Sequence, residues 1–352
     1  MFKLIASLIV AAPLLLGWSW GNFAPKAETC SFSAKPREFN SEPYYTGPLI
    51  DAHIHMPVSS GIVSMVGKRA GFNDMPAFGG SLTTGHLNCL FKSEGITKVF
   101  GFFLATKWSS GFEVATVKKM AKSYPGLIAP FWMPAPISFF QVSPGEVRKI
   151  LDKNKGLFKG IGELKSFGDL GDIDNPGFLE MYKIADDYNL IVMLHPYGNH
   201  KQAVEKILKD YPKVKFLMHG GEKEIEEWIT GIMKNYGNVY YSLDGDIAML
   251  YGWGNPKYQF TISSGKQEVL AHLRENFNSI LEEKTSFWKP KIEAYPDRFM
   301  WGTDRWYSWH WDQELGGLLE EYGRSFIGQL APSVREKFAY KNAENLIAGA
   351  GK

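Results

Sequence analysis

Cysteine is almost absent from this chain: 352 residues hold two, Cys30 and Cys89. Two thiols cannot build a cysteine zinc cluster, which needs more thiolates or a close histidine partner. One disulfide is their remaining structural use, in an oxidising compartment. Cys30 stands in a segment expected to be mobile, which weighs against that pairing. An excess of one charge sign is missing too. Lys and Arg total 39 against 37 for Asp and Glu, a net +2, and the signs interleave, as in Glu222-Lys223-Glu224. No basic run offers a nucleic-acid footprint, so nucleic acid is not an expected partner. Beyond the N-terminal segment no stretch is long and apolar enough to cross a bilayer. A glycine-rich phosphate-binding turn is also lacking; Asp51-Ala52-His53 stands where it would be. There is no internal repeat and no low-complexity tract.

What is present describes a folded chain. Hydrophobic residues make up 45% and charged residues 22%, which excludes a disordered composition. Aromatics at 14% suffice both for a large core and for a ring-lined pocket. The N-terminus has a leader's order: Lys3, an uncharged run from Leu4 to Leu16, then small residues including Ala24 and Ala27. That is the pattern of a secretory signal over residues 1–27, implying export to a periplasm or the exterior. An uncleaved membrane anchor is the alternative. Loss of Lys3 and Lys26 with the leader takes the net charge from +2 to zero, leaving no electrostatic pull toward membranes. Ala27-Glu28-Thr29 before Cys30 fits lipidation poorly. Residues 28–46 have linker composition, and the folded domain is expected over 47–352.

From Leu49 onward, short apolar runs with polar ends alternate with amphipathic stretches. The runs are Leu49–His55, Thr97–Ala105, Gly126–Met133, Leu157–Glu163, Asn189–His195, Lys213–His219, Asn238–Asp244 and Arg298–Asp304. Between them, Phe112–Ser123, Pro144–Lys155, Pro176–Tyr188, His200–Tyr211 and Glu222–Tyr236 place apolar residues at three- and four-residue spacing. Continuous apolar strands between helices make a parallel sheet covered on both faces. Eight such units predict an α/β chain closed as a (β/α)₈ TIM-like barrel. Long insertions follow strand 1 (Met56 to about Ser81) and strand 7 (Asp246 to Pro296). The second carries Tyr251, Trp253, Tyr258 and Phe260 and a helix over Lys266–Lys284. Both emerge at the C-terminal barrel face and are expected to wall a pocket.

The chemistry sits at the strand ends. Residues two apart on a strand share a face, so His53 and His55 point the same way and form a metal clamp if they face the barrel axis. Four further runs end in Glu163, His195, His219 and Asp304. Uncompensated carboxylates and imidazoles at buried strand ends are costly, and a divalent cation is the economical partner for all six. Oxygen and nitrogen donors without thiolate suit zinc, manganese or iron. His86, His200 and His272 are expected on helices away from the site, and His310 among tryptophans beyond strand 8.

These pieces resemble the amidohydrolase superfamily, in particular its amidohydrolase-related hydrolases, lactonases and decarboxylases. The matching motifs are I-D-A-H-I-H at residue 50, G-I-G-E-L ending strand 4, M-L-H-P, F-L-M-H-G-G, and R-F-M-W-G-T-D-R at strand 8, in the family's order. The resemblance implies that His53, His55 and Asp304 hold a first metal, with His195 as a further ligand in mononuclear members and His219 polarising the substrate carbonyl. In the binuclear branch Glu163 bridges two metals, and His195 and His219 hold the second. The expected cofactor is therefore one or two divalent ions. No substrate-contact motif of a subfamily is present.

Hydrolysis of a small-molecule ester, lactone or amide is the leading expectation, with Asp304 and His219 catalytic and Arg305 and Lys165 placed to reach a substrate carboxylate. Non-oxidative decarboxylation at the same metal, or metal and ligand binding without catalysis, are the alternatives.

Overall fold

A computed structural model describes residue 30 and residues 32–56, 84–135, 138–166, 172–196, 200–221, 223–244, 266–305 and 308–351. Eight strands lie in it: β1 Leu49–His55, β2 Ile96–Ala105, β3 Ile128–Pro134, β4 Gly160–Lys165, β5 Ile191–His195, β6 Phe216–Met218, β7 Val239–Ser242 and β8 Phe299–Met300. They pair in sequence order, each parallel to the next. The seam between last and first is sewn by backbone bonds. Ala52 N donates to Trp301 O at 3.0 Å, Asp304 N to His53 O at 2.9 Å and His55 N to Arg305 O at 3.0 Å. The result is the expected (β/α)₈ TIM barrel.

The helix expected around His86 is α1 Thr84–Ser93, and five more fall where the apolar spacing places them: α2 Ser110–Ser123, α3 Pro144–Lys153, α4 Pro176–Asp187, α5 Lys201–Asp210 and α6 Lys223–Asn235. Local chemistry sets several starts. Ser143 caps α3 and Asn175 caps α4, each followed by proline at the first helical position. The expected helix after strand 7 is longer than its first periodic stretch: α7 runs Lys266–Ala294 through Pro290. Leu273, Phe277, Ile280, Trp288 and Ile292 keep one buried stripe along it. Helices α8 Gln313–Gln329, α9 Pro332–Glu336 and α10 Asn342–Ala348 follow, with a π-turn at Lys337–Lys341. Among the described residues no helix is long and apolar enough to cross a membrane.

Two apolar layers result. The larger joins the outward strand residues to the helices. The smaller fills the barrel with Ile50, Ala52, Phe100, Phe102, Phe131, Met193, Leu217 and Met300, and Ala343, Leu346 and Ile347 of α10 pack against it. Residues 57–83 and 245–265, with the aromatics Tyr251, Trp253, Tyr258 and Phe260, lie outside the described residues, as does the segment 1–27 expected to be a leader.

The segment given linker composition is packed. Phe39 stacks on Phe277 with ring centres 4.0 Å apart. The Glu321 carboxylate accepts from the amides of Glu38, Phe39 and Asn40, and Arg324 donates to the carbonyls of Tyr45 and Gly47. This corrects the expected mobility around Cys30. The strap fixes that residue beside α1, and Cys30 and Cys89 form a disulfide with Cα atoms 5.2 Å apart.

Candidate metal centre

The six ligand-type strand ends meet at the C-terminal end of the barrel, and every one of them is buried. Two strands reach this arrangement by breaking their alternation. In β1, Ile50 and Ala52 face the interior core, yet His53 and His55 also face inward, because the pairing with β2 shifts between Asp51 and Ile54. In β4 the pairing with β5 shifts between Ile161 and Leu164, which turns Glu163 and Lys165 inward. Irregularities of this kind re-aim side chains beside active sites. Gly162 makes the β4 turn feasible. Its φ is +139°, and a Cβ there would lie 2.5 Å from Met193 O. Asp304 itself sits at φ +46°, a left-handed conformation uncommon outside glycine, after the last strand pair.

Distances within the cluster are short. His55 Nε2 lies 3.0 Å from Asp304 Oδ1 and 3.4 Å from Glu163 Oε2. His219 Nε2 lies 3.3 Å from Asp304 Oδ2 and 3.6 Å from Glu163 Oε1. His195 Nδ1 bonds Glu163 Oε1, and the His195 and His219 rings stack with centres 3.8 Å apart. Candidate ligand atoms of His53, His55 and Glu163 all lie within 4.8 Å of one another; so do those of Glu163, His195 and His219, and those of His53, His219 and Asp244. Glu163, His53 and His219 each belong to two of these sets.

Asp244, just past β7, was not among the candidate ligands. Its Oδ2 is 2.9 Å from His53 Nδ1, and its Oδ1 accepts from Gly220 N at 2.8 Å. A carboxylate ending the seventh apolar run was the available signal. Asp51 is a second addition. It accepts from Thr303 N at 3.0 Å, Thr303 Oγ1 at 2.6 Å and His53 N at 3.1 Å, tying β1 to the turn before Asp304. Burial pushes its carboxyl up to about 7.

The residues present fit a divalent cation. Glu163, Asp244 and Asp304 place three carboxylates against the single ammonium of Lys165, whose Nζ is 2.8 Å from Glu163 Oε2. His53 Nε2 is buried with no hydrogen-bond partner, while its Nδ1 is held by Asp244. That is the tautomer in which Nε2 offers a lone pair to a metal. The electrostatics without a cation agree. Burial raises both carboxyls, but Lys165, His195 and His219 outweigh it at Glu163, and His53, His219 and His55 at Asp304, holding both well below the usual range. Burial disfavours a charged His219, yet Asp244, Glu163 and Asp304 push it up to about 10.

Lys165 therefore reaches the site, though its ammonium lies on Glu163. Arg305 does not reach the mouth. With Asp304 inward, the Arg305 guanidinium is turned outward and fully buried, 2.8 and 3.1 Å from the two Glu94 oxygens. His310 is buried near it, its imidazole held well below the usual range by burial and the Arg305 charge. His86 packs against Phe32 on α1, away from the cluster.

The amidohydrolase sequence pattern matches residues 50–348. The chain belongs to the amidohydrolase family. The match runs from the first strand through α10, so all the strand-end residues described above fall inside it. Similar solved structures include a Burkholderia multivorans amidohydrolase with bound zinc, at 13% identity over 86% of this chain and 99% of that one, TM-score 0.55. A protein assigned as a 2-pyrone-4,6-dicarboxylic acid hydrolase from Pseudomonas putida is 14% identical over 86% and 97%, TM-score 0.53. A 5-carboxyvanillate decarboxylase from Novosphingobium aromaticivorans, complexed with manganese, is 12% identical over 86% and 96%, TM-score 0.52. At these identities the likeness is one of fold. No curated protein matches the chain.

Proposed function

We propose that this amidohydrolase-family protein is a metal-dependent hydrolase of a small-molecule carboxylic ester, lactone or amide. One observation carries the reading: the Asp304 carboxylate spans from His55 Nε2, at 3.0 Å, to His219 Nε2, at 3.3 Å. It thus joins the histidine clamp to an imidazole on the far side of the site. His53, His55 and Asp304, with Glu163 and His195, would hold the cation, which supplies Lewis acidity toward a carbonyl and makes water acidic enough to react near neutral pH.

The chain's own residues do the rest. Asp304, with one oxygen toward the clamp and one toward His219, is placed to take a proton from the attacking water and return it to the leaving group. His219 Nε2–H is placed to donate to the carbonyl oxygen as negative charge develops there. Asp244 keeps the His53 ring in the tautomer described above, and Lys165 steadies Glu163.

Decarboxylation remains the second reading. It is favoured by the Lys165 ammonium at the mouth, 19% exposed and able to pair with a carboxylate, and by the likeness to a carboxyvanillate decarboxylase. The deciding experiment measures metal content of the purified protein, then screens esters, lactones, amides and carboxylated aromatics while monitoring acid release and carbon dioxide. Acid release without carbon dioxide supports hydrolysis, and carbon dioxide from an aromatic acid replaces it with the second reading. Bound metal with no turnover of any class leaves a binding protein. The Cys30–Cys89 disulfide supports an oxidising, extracytoplasmic location for the protein.

A further inference from the structure

The described residues include few exposed large apolar side chains, and two of them are neighbours. Trp108 is 49% exposed and Phe139 61%. Trp108 stands in the loop after β2 and Phe139 in the short 3₁₀ turn Ser138–Phe140 after β3. Both loops leave the C-terminal ends of their strands, so the pair lies on the rim of the end that holds the metal centre. The Trp108 ring is 5.8 Å from Phe139 and 5.3 Å from Phe140, and Lys107 Nζ lies 3.8 Å over the Phe139 ring. The prong is built rather than accidental. Lys107 N donates to Phe140 O at 2.9 Å, locking the two loops together. Gln141 Nε2 ties the second loop to Ala135 O at 2.9 Å.

We propose that this aromatic prong seats the barrel mouth on a phospholipid bilayer, inserting Trp108 and Phe139 at the interface. Two considerations select a bilayer. Tryptophan and phenylalanine with a lysine able to reach back to the headgroups is the composition that partitions into the membrane interface. A net charge of +2, or zero without the leader, leaves apolar insertion as the attractive force, so a zwitterionic surface suffices. This inference is independent of the reaction catalysed.

The test uses the full chain with its disulfide intact, reconstituted with phosphatidylcholine vesicles. Phe139→Cys and, at the opposite barrel end, Lys213→Cys are each labelled with a polarity-sensitive fluorophore. The expected result is a blue shift at position 139 with at least several-fold stronger quenching by brominated phosphatidylcholine than at position 213. Equal quenching at both positions, or none at 139, overturns the proposal. A blue shift at 139 that bromolipid leaves unquenched assigns the prong to a protein contact, such as a second copy, and also overturns it. A Trp108→Ser/Phe139→Ser variant, altered only at exposed positions, should remain folded and lose the bromolipid quenching that a label at Lys107→Cys shows when both rings are present.

Discussion

Asp244 and His53 meet past the short β8, Oδ2 to Nδ1 at 2.9 Å, joining the end of β7 to the clamp on β1. The carboxylate orients an imidazole whose other nitrogen makes no hydrogen bond and lies 3.8 Å from Glu163 Oε2. Outer carboxylates of this kind typically change metal affinity by about 10–100-fold when altered. Asp244→Asn should weaken zinc binding by that factor, with unchanged secondary structure by circular dichroism. Competition against a chromogenic chelator measures it, and an unaltered dissociation constant would remove Asp244 from the site.

Asp304→Asn tests the proton-transfer role. The amide keeps size and hydrogen-bonding reach but cannot accept a proton in the same way. Turnover should fall by about 10²–10⁴-fold on whichever ester, lactone or amide the native protein hydrolyses. Part of the bound metal should remain, as read by elemental analysis.

Glu113 gives a pH prediction remote from the metal. It lies in the first turn of α2, 2% exposed, with Oε1 unpaired, and burial pushes its carboxyl up to about 8 from an ordinary 4.5. Between those values the folded chain holds a proton that the unfolded chain has released. Its contribution to stability is thus complete below 4.5 and is lost as pH rises toward about 8, with a slope of at most roughly 1.4 kcal/mol per pH unit. Glu113→Gln should flatten this dependence, so that urea unfolding at pH 9 shows the variant more stable than the native chain. Parallel pH profiles for the two proteins would contradict the assignment.

The disulfide closes a loop of 59 residues in sequence, holding the N-terminal strap on α1. Loop-closure entropy for that length is worth roughly 4 kcal/mol. Reduction, or paired Cys30→Ser and Cys89→Ser, should lower the thermal midpoint by several degrees. Differential scanning calorimetry with and without reductant measures this. A midpoint indifferent to reductant would mean that the other strap contacts, such as Phe39 on Phe277, suffice alone.

Much of this architecture is written locally. Apolar runs of strand length, separated by helical periodicity with Ser143-Pro144 and Asn175-Pro176 starts, dictate eight parallel units, because each signal depends on residues a few positions apart. The ligand types at strand ends follow in the same way: His53, His55, Glu163, His195, His219 and Asp304 stand where buried polar groups need a partner. Orientation is a different matter. Strict alternation from Ile50 or Ile161 would turn His53 and Glu163 away from the axis. Only the pairing shifts against β2 and β5, set by neighbouring strands, turn them inward. Arg305 is buried on Glu94, away from the site that Asp304 faces. Asp244 became a partner of His53, and Cys30 a partner of Cys89, through closure of the barrel and packing of the strap. Sequence by itself determined the kinds of residue and their order along the chain, since those rest on short-range patterns. Tertiary structure decided which of them converge, since that depends on register and packing between segments far apart in the chain.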